Sequence, residues 1–388
     1  MDQTKQSHTD SSLRLPDSDP IPCIRPFFDV DESLLKSVEG LLDCGRVSNN
    51  GEQVQNFERL LAQYLRVAET VAVSSGADAL LLAIKALVLS PGRAVLPAYT
   101  YVATLNAVVH AGLRPVFCEI EPNSFTLDAE HLRELLVRYP DVRCVVPVNV
   151  FGVHPDLNSI QALCSQRGIK VLYDNAHGFG SEIDGHRVPR QPHAQVFSLH
   201  ATKTLPAVEG GLIVSEDPIL LSKVKRLRNH GLGSAPAEMI PGFNAKMDEI
   251  RAVIGIHSLR HFKESLERRR RYGQRLTTAF GKFSKVYVPQ VIPEGLNTNY
   301  QNLGVCCLPA AQVGLKKVLE LFHTRGIGVR SYFDPPLYKF PGFNTGPELP
   351  VTERIWRTLI SVPIHSRMSD SMLERIEEAA GQVAAEFS

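Results

Sequence analysis

Two spacings of apolar residues alternate along the first part of the chain. Apolar positions at helical spacing predict amphipathic helices over Asp31–Leu42 and Val54–Leu65. From Thr70 to Val214, short β-prone apolar runs alternate with helical stretches, beginning with the strand–helix unit Thr70–Leu87. This rhythm predicts an α/β sheet wrapped by helices.

A different pattern begins near residue 285. Short strands at Val286–Val288 and Gln301–Leu308 precede a helix at Val313–Thr324, and a last helix covers Ser369–Ala385. These elements predict a separate, smaller α+β domain at the C-terminus.

The change of pattern also predicts the domain boundaries. We expect a polar, disordered leader over 1–20, a large domain over 21–270 and the small domain over 271–388. A long helix ending near Arg271 should join the two domains. Its run Arg268–Arg271 is interpreted as a solvated face.

Composition narrows the class of protein. The 388 residues include 42 Lys and Arg against 41 Asp and Glu, so no overall charge favours nucleic acid or an anionic membrane. No apolar run has the length of a membrane span, and no signal-peptide core is present. The 7 cysteines lack metal-ligand spacing, which indicates reduced thiols in a cytoplasmic enzyme and no metal site.

A polar loop with one lysine lies between two β-prone runs in Val196–Val214. Lys203 is surrounded by the hydroxyls of Ser198, Thr202 and Thr204, and a Gly-Gly pair follows. A lysine between buried strands is unfavourable unless it is paired, neutralised or used covalently. One covalent use is a Schiff base with a carbonyl cofactor; the alternative is an exposed loop lysine.

A carboxylate ends the predicted buried strand Ile169–Asp174. Functional groups of parallel sheets lie just past the carboxyl ends of the strands. Asp174 is therefore either a helix N-cap or the partner of the protonated ring nitrogen of pyridoxal phosphate. Asp174 and Lys203 on adjacent strand ends fit the second role together.

Small residues follow the first predicted strand, at Ser74-Ser75-Gly76. A turn of this kind leaves the first N–H groups of the next helix free to bind a phosphate, although it is also an ordinary βα connection. In the second unit, Tyr101 either stacks on a flat heterocycle or only packs.

Six short motifs, in this combination, resemble a known family. They are Ser74-Ser-Gly-Ala-Asp-Ala-Leu, Pro97-Ala-Tyr-Thr-Tyr-Val-Ala-Thr, Asp174-Asn-Ala-His, Ser198-Leu-His-Ala-Thr-Lys203, Glu209-Gly-Gly and Gly242-Phe-Asn-Ala-Lys-Met-Asp-Glu-Ile. From about Gly45 to the C-terminus the chain resembles the DegT/DnrJ/EryC1/StrS family of pyridoxal-phosphate sugar aminotransferases, which have the aspartate aminotransferase fold (fold type I). The resemblance implies a large, mostly parallel seven-stranded sheet wrapped by helices, with a smaller α+β C-terminal domain.

The resemblance also implies roles for single residues. Lys203 would be the Schiff-base lysine and the proton shuttle, and Asp174 would pair with the pyridine nitrogen. Tyr101 would stack on the cofactor ring, and His177 would lie near the ring hydroxyl.

Five further residues have implied positions around the phosphate. Gly76, Ala77 and Ser198 fall at phosphate-binding positions. Asn244 and Lys246 fall in the loop that family dimers extend into the neighbouring active site. The resemblance therefore implies a homodimer with active sites at the subunit interface.

The sequence departs from the family pattern at three places. Ala77 replaces the usual threonine, so one hydroxyl for the phosphate is missing. Asn149 stands where the family often has histidine, in a segment that approaches the substrate. The lysine loop reads His-Ala-Thr-Lys-Thr-Leu-Pro and lacks the more frequent Asn-Leu-Gly continuation. These departures leave the cofactor chemistry intact and the substrate open.

The predicted function is a pyridoxal-phosphate aminotransferase that moves an amino group from an amino acid, glutamate or glutamine, to a keto group of a nucleotide-linked deoxysugar. The alternative acceptor is a cyclitol or another natural-product ketone. A dehydratase is disfavoured, because family members of that type replace the lysine. A non-enzymatic sensor is also disfavoured, because such sensors carry a fused DNA-binding domain and the leader is too short for one.

Overall fold

The computed structural model describes residues 19–190, 192–233, 235, 239–343 and 348–387. Residues 1–18 of the predicted leader lie outside this range. The described chain forms a seven-stranded sheet, a three-stranded sheet and a two-stranded ribbon, with helices packed around them. In this part of the chain, no helix combines the length and the apolar character needed to span a bilayer.

The seven-stranded sheet is the core of the larger part of the chain. Its strands are β1 (Thr70–Val73), β2 (Arg93–Pro97), β3 (Arg114–Cys118), β4 (Val142–Val145), β5 (Lys170–Asp174), β7 (Ala194–Ser198) and β8 (Gly211–Val214), while β6 (Glu182–Ile183) pairs elsewhere. They lie in the order β1-β8-β7-β5-β4-β2-β3, and only β8 is antiparallel to its neighbours. Strands β1, β7 and β8 are buried along their whole length, which explains their continuous apolar sequences.

Helices connect these strands and cover both faces of the sheet, and several begin at a side-chain cap. Ser75, Asp128 and Asp217 each accept a hydrogen bond from the first turn of the helix that follows. The helices are α1 (Glu32–Cys44), α2 (Glu52–Leu65), α3 (Gly76–Leu87), α4 (Val102–His110), α5 (Ala129–Arg138), α6 (Leu157–Ser165), α7 (Pro218–Arg228) and α8 (Glu249–Arg260).

The C-terminal part has its own apolar core around the antiparallel sheet. Ile21 belongs to this core and bridges to Ile327, so the N-terminal segment packs on the end of the chain. The elements are α9 (Phe262–Gly281), β9 (Tyr287–Pro289), β10 (Leu296–Asn297), β11 (Leu303–Cys307), α10 (Ala310–Val313), α11 (Leu315–His323), a 3₁₀ turn (Leu337–Lys339), α12 (Pro350–Thr358), β12 (Leu359–Val362) and α13 (Asp370–Ala385). The sheet order is β12-β11-β9, and β10 pairs with β6. The predicted fold class is confirmed.

The structure corrects one local prediction and adds two elements. The single long helix ending near Arg271 is in fact α8 and α9, which are separated at His261, and α9 continues to Gly281. Helix α12 and strand β12 were not predicted, because β12 begins directly after α12 without a turn residue between them. The proposed division at residues 270 and 271 stays a prediction, and α9 runs through it.

The arginine run in α9 is not a solvated face. Arg269 is buried and donates to the carbonyl oxygens of Tyr300 (2.8 Å) and Gln301 (2.7 Å). Arg270 donates to the carbonyl oxygen of Gly180 at 2.8 Å. These side chains satisfy backbone carbonyls where the two parts of the chain meet, so one face of the run is structural.

Candidate active site

A cavity of about 420 Å³ lies where the large sheet meets the C-terminal part of the chain. Asp174 and Ser198, the last residues of β5 and β7, line it from the sheet, and Arg330 and Tyr332 line it from the C-terminal part. This is the carboxyl edge of parallel strands, where ligands of α/β proteins usually bind.

Lys203 lies in the loop between β7 and β8 and lines the cavity. Loss of hydration around the ammonium group lowers the pKa of Lys203 to about 8, and the negative charge of Asp174 opposes part of that shift. A substantial fraction of the amine is therefore neutral near pH 8, and the neutral form is the nucleophile. The two residues that the sequence analysis paired line one cavity and influence each other electrostatically.

Gln301 holds the backbone on both sides of Lys203. Its side-chain NH₂ donates to the carbonyl oxygen of Thr202 (2.9 Å), and its side-chain oxygen accepts from the N–H of Thr204 (3.0 Å). The Arg269 guanidinium in turn binds the Gln301 carbonyl oxygen. These hydrogen bonds hold the lysine loop against the residues that precede β11.

Asp174 is 3% exposed and has two hydrogen-bond donors. Thr104 donates its hydroxyl to Oδ2 (2.8 Å), and the N–H of Ala176 donates to Oδ1 (3.2 Å). Burial raises the pKa of Asp174, while these donors and the charge of Lys203 act in the opposite direction. Because burial disfavours the charged form of this carboxylate, a positively charged partner stabilises that form strongly.

His177 also lines the cavity, packed against Phe151 and Phe333 with ring centroids 6.0 Å and 6.5 Å away. Its Nδ1 accepts from the N–H of Phe151 at 3.2 Å. Burial, reinforced by the positive charge of Lys203, holds the pKa of His177 well below its ordinary value. The ring is therefore neutral with its proton on Nε2, which makes Nε2 a hydrogen-bond donor.

The start of α3 packs closely against the ends of β7 and β8. A Cβ added to Gly76 would lie 3.0 Å from Cβ of Ser198, and one added to Gly211 would overlap the carbonyl of Ser75. Gly76, Ala77 and Ser198 all line the cavity. The free N–H groups at the start of this helix therefore adjoin the cavity, as an anion site requires.

Tyr101 lies at the N-cap of α4 and lines the same cavity. The residue is 62% exposed, and it lines the cavity together with Asp174 and Lys203. Because an exposed aromatic ring next to a cavity can cover a flat ligand, this position is compatible with the predicted stacking role.

Asn244 and Lys246 do not line this cavity. Lys246 Nζ donates to Oδ1 of Asn244 at 2.8 Å in an exposed contact. The structure thus brings seven of the nine predicted site residues together and leaves these two outside the site of their own chain.

Asn149 has a structural explanation. Its side-chain oxygen accepts from the N–H of Gly152 (2.8 Å), and its NH₂ donates to the hydroxyl of Tyr173 (3.3 Å). The same hydroxyl contacts Nδ1 of His154 at 2.6 Å. The side chain is therefore engaged within the protein, although the residue borders the cavity.

Four polar residues that border the site or contact its members were not predicted from the sequence. Thr104 could have been found, because Thr100 and Thr104 are one helical turn apart just after β2, and their hydroxyls lie 3.1 Å apart. The others gave no local signal, because they are polar residues far along the chain: Gln301, Asn302 and Arg330.

The comparisons with known proteins identify the family. A model described as the DegT/DnrJ/EryC1/StrS aminotransferase family matches residues 29–380. The chain belongs to this family. It is 29% identical over 365 residues to the dTDP-4-amino-4,6-dideoxy-D-glucose transaminase of Shigella dysenteriae, which covers 92% of this chain and 97% of that enzyme.

Two further relatives agree with this assignment. The spore coat polysaccharide biosynthesis protein SpsC of Bacillus subtilis is 27% identical over 369 residues, covering 90% of this chain and 94% of SpsC. The crystal structure of DesI in the presence of its TDP-sugar product has a TM-score of 0.88 at 28% identity, and the match covers 95% of this chain and 94% of DesI. This DegT/DnrJ/EryC1/StrS family member is an aminotransferase that depends on pyridoxal phosphate, which confirms the predicted enzyme class and cofactor.

The residues of this aminotransferase fit pyridoxal phosphate. The cofactor needs an amine, an anion for its ring nitrogen and donors for its phosphate. The cavity offers the amine of Lys203, the buried carboxylate of Asp174 and the start of α3 at Gly76. The narrow space between Gly76 and Ser198 would be filled by a larger side chain.

Proposed function

We propose that this aminotransferase transfers an amino group from glutamate or glutamine to a keto group of a nucleotide-linked deoxysugar. The observation that carries the proposal is the placement of Lys203 and Asp174 in one cavity between the two parts of the chain. DesI was crystallised in the presence of its TDP-sugar product, and the Shigella enzyme is named for an amino-dideoxysugar nucleotide. Both relatives match this chain over at least 92% of its length.

Each proposed residue has a defined task. Bound pyridoxal phosphate supplies the electron-withdrawing ring on which a substrate carbon can lose or gain a proton. Asp174 would keep the ring nitrogen positively charged, and Nε2 of His177 would donate to the ring hydroxyl. Tyr101 would cover one face of the ring and exclude water.

Lys203 Nζ would hold the cofactor and move the proton. Because the pKa of Lys203 is about 8, its amine can accept and release a proton near neutral pH with little loss of driving force. The two hydrogen bonds from Gln301 to Thr202 and Thr204 would keep Lys203 in reach of the reacting carbon.

The phosphate would bind at the start of α3, at Gly76, Ala77 and Ser198. Ala77 has no hydroxyl, and one hydrogen bond to an anion contributes about 1.5–3 kcal/mol. Lys246 and Asn244 of a second copy of this chain would add donors there. We therefore propose a homodimer in which each subunit completes the site of its partner.

A cyclitol or another free ketone is the alternative acceptor because the sequence departs from the family pattern at Asn149 and in the lysine loop. Asn149 hydrogen-bonds Gly152 and Tyr173, so its identity is explained without the acceptor. The nucleotide-linked sugar is therefore the preferred acceptor. The 7 cysteines form no disulfide in the described chain, which supports the proposed cytoplasmic location.

Spectroscopy and product analysis test the proposal. The purified protein, supplied with pyridoxal phosphate, should show a visible band that glutamate or glutamine abolishes and a nucleotide-linked keto-deoxysugar restores. Mass spectrometry should then detect the aminated sugar nucleotide. Lys203→Ala should lack the band, whereas Lys36→Ala, at an exposed lysine of α1, should retain it.

Two results would contradict the proposal at different levels. Restoration of the band by a cyclitol ketone but by no sugar nucleotide would reject the acceptor and keep the aminotransferase. A band that persists with every amino donor would reject the donor class.

A further inference from the structure

Three side chains that commonly bind metal ions lie together where the N-terminal segment meets the end of α8. The ligand atoms of Asp31, His257 and His261 all lie within 4.8 Å of one another. His257 lies in the last turn of α8 and His261 is the residue that ends this helix, and their ring centroids are 5.0 Å apart. None of the three lines the active-site cavity, and His261 lines a smaller neighbouring cavity that Lys203 also borders.

His257 is already oriented as a metal ligand would be. It is 4% exposed, and its Nε2 is hydrogen-bonded to the carbonyl oxygen of Asp29. Because a carbonyl oxygen only accepts, Nε2 carries a proton, and Nδ1 is the ring nitrogen left to bind an ion. Metal-binding histidines usually donate their second ring N–H to a carbonyl or carboxylate in this way.

The Nδ1 atom of His257 is directed at Asp31 without a hydrogen bond. Nδ1 is buried and has no hydrogen-bond partner, and Oδ1 of Asp31 lies 3.9 Å away. A histidine nitrogen and a carboxylate oxygen this close attract each other only when a positive charge, a proton or a metal ion, lies between them. A buried polar atom without a partner is unusual in a folded protein and calls for such an explanation.

Asp31 is positioned for the same purpose. It is the N-cap of α1, and its Oδ1 accepts from the N–H of Leu34 and the hydroxyl of Ser33, both at 2.8 Å. Carboxylates that bind metals are commonly held by hydrogen bonds of this kind. Both of these hydrogen bonds are to Oδ1, the oxygen that lies 3.9 Å from Nδ1 of His257.

We propose that Asp31, His257 and His261 bind one divalent transition-metal ion of the Zn²⁺ class, with water as the fourth ligand. Two imidazole nitrogens and one carboxylate oxygen are a donor set that suits Zn²⁺. In a tetrahedral site with bonds of about 2.1 Å, the ligand atoms lie roughly 3.4 Å from one another. The ligand atoms here lie within 4.8 Å of one another. Small rotations of the exposed Asp31 and the partly exposed His261 toward the buried His257 would close this difference.

The ion would have a structural role. It would connect the start of α1 to the end of α8. The segment just before α1 runs past Asp29 back to Ile24, which lines the active-site cavity. Metal binding would therefore stabilise the N-terminal segment beside the active site, whichever keto substrate the enzyme uses.

Zinc binding to the holoprotein tests the site. After treatment with a chelator, titration calorimetry should give one Zn²⁺ per chain, and Co²⁺ should give the intense visible d–d bands of four-coordinate cobalt. The melting temperature should rise with Zn²⁺. His261→Gln and Asp31→Asn should each weaken zinc binding at least ten-fold, and Asn keeps a cap for α1. His186→Gln, at an exposed histidine, should bind like the wild type.

The outcome does not depend on any single variant. His257→Gln should abolish binding, and if this variant fails to fold, the variants at Asp31 and His261 decide the outcome. Absence of Zn²⁺ binding at micromolar concentration would overturn the proposal. Zinc binding that is unchanged in both His261→Gln and Asp31→Asn would overturn it as well, since the ion would then be bound elsewhere.

Discussion

Lys203 and Asp174 control each other's protonation across the active-site cavity. Burial lowers the pKa of Lys203 and raises that of Asp174, while their opposite charges reduce both shifts. The amine is consequently available as a nucleophile close to neutral pH, although an ordinary lysine has a pKa of 10.5. This property does not depend on the identity of the acceptor.

Capture of pyridoxal phosphate by the cofactor-free protein should accelerate with rising pH, with a midpoint near about 8. Below that pH Lys203 is an ammonium ion and has no lone pair to react. Asp174→Asn should move the midpoint to lower pH, because the charge that stabilises the ammonium form is removed. Stopped-flow absorbance measures the rate, and a midpoint near 10.5, or one that rises in the variant, would contradict this account.

Thr104 supports the charge of Asp174 through its hydroxyl. Thr104→Val removes the 2.8 Å hydrogen bond, so the pKa of Asp174 should rise and its pairing with the cofactor ring should weaken. A hydrogen bond to a charged group contributes about 1.5–3 kcal/mol, which corresponds to roughly a 10- to 150-fold loss of affinity. Equilibrium titration with pyridoxal phosphate measures it. Thr104→Ser keeps the hydroxyl and should bind like the wild type, and equal affinities for Val and Ser would contradict the role.

The lysine loop is held by tertiary contacts as well as by its own turns. The N–H of Lys203 donates to the carbonyl oxygen of His200 (2.9 Å), which is a local turn. The hydrogen bonds between the Gln301 side chain and the backbone of Thr202 and Thr204 involve instead a residue that lies two positions before β11. These contacts fix the position of the lysine loop relative to the three-stranded sheet, so the position of Lys203 depends on both.

Gln301→Leu should slow cofactor capture about ten-fold, because the backbone around Lys203 loses both of its tertiary hydrogen bonds. Gln290→Leu is the matched control. Gln290 is also buried, and its NH₂ donates to the carbonyl oxygens of Ser124 (2.6 Å) and Val150 (3.1 Å), away from the cavity. Both variants should lower the melting temperature to a similar extent. Equal rates of cofactor capture in the two variants would show that the contribution of Gln301 is only to stability.

The arrangement of the whole molecule leaves Asn244 and Lys246 outside the cavity of their own chain. If the proposed homodimer forms, these residues belong to the partner's phosphate site. Subunits that lack different residues of the site should therefore complement each other in a mixed dimer, whichever acceptor the enzyme uses.

Mixing the inactive Lys203→Ala variant with the impaired Lys246→Ala variant should raise activity above that of either variant alone. Lys203→Ala subunits supply an intact Lys246, and Lys246→Ala subunits supply an intact Lys203, so each mixed dimer contains one complete site. Activity is measured after the two proteins are refolded together, with each variant refolded alone as the control, and sedimentation establishes the dimer. No recovery despite mixed dimers would mean that Lys246 does not act across the interface.

Much of this fold and site follows from local sequence. Apolar runs buried on both faces predicted the strands of the large sheet, and Asp174 and Lys203 could be paired because both follow such strands. Ser75 and Gly76 were recognised from the same kind of local pattern, since small and capping residues mark the start of a helix. In each case the physical constraint acts within a few residues of the chain.

The remaining features depend on contacts between distant residues. Gln301 meets Thr204 across 97 positions, and Asp31 meets His257 from a different helix, so neither has a pattern in its own segment. Arg269 looks like any surface arginine until Tyr300 and Gln301 present their carbonyl oxygens to it. The chain's chemistry was therefore readable from residues at strand ends, while packing alone determined which polar side chains hold those residues in place.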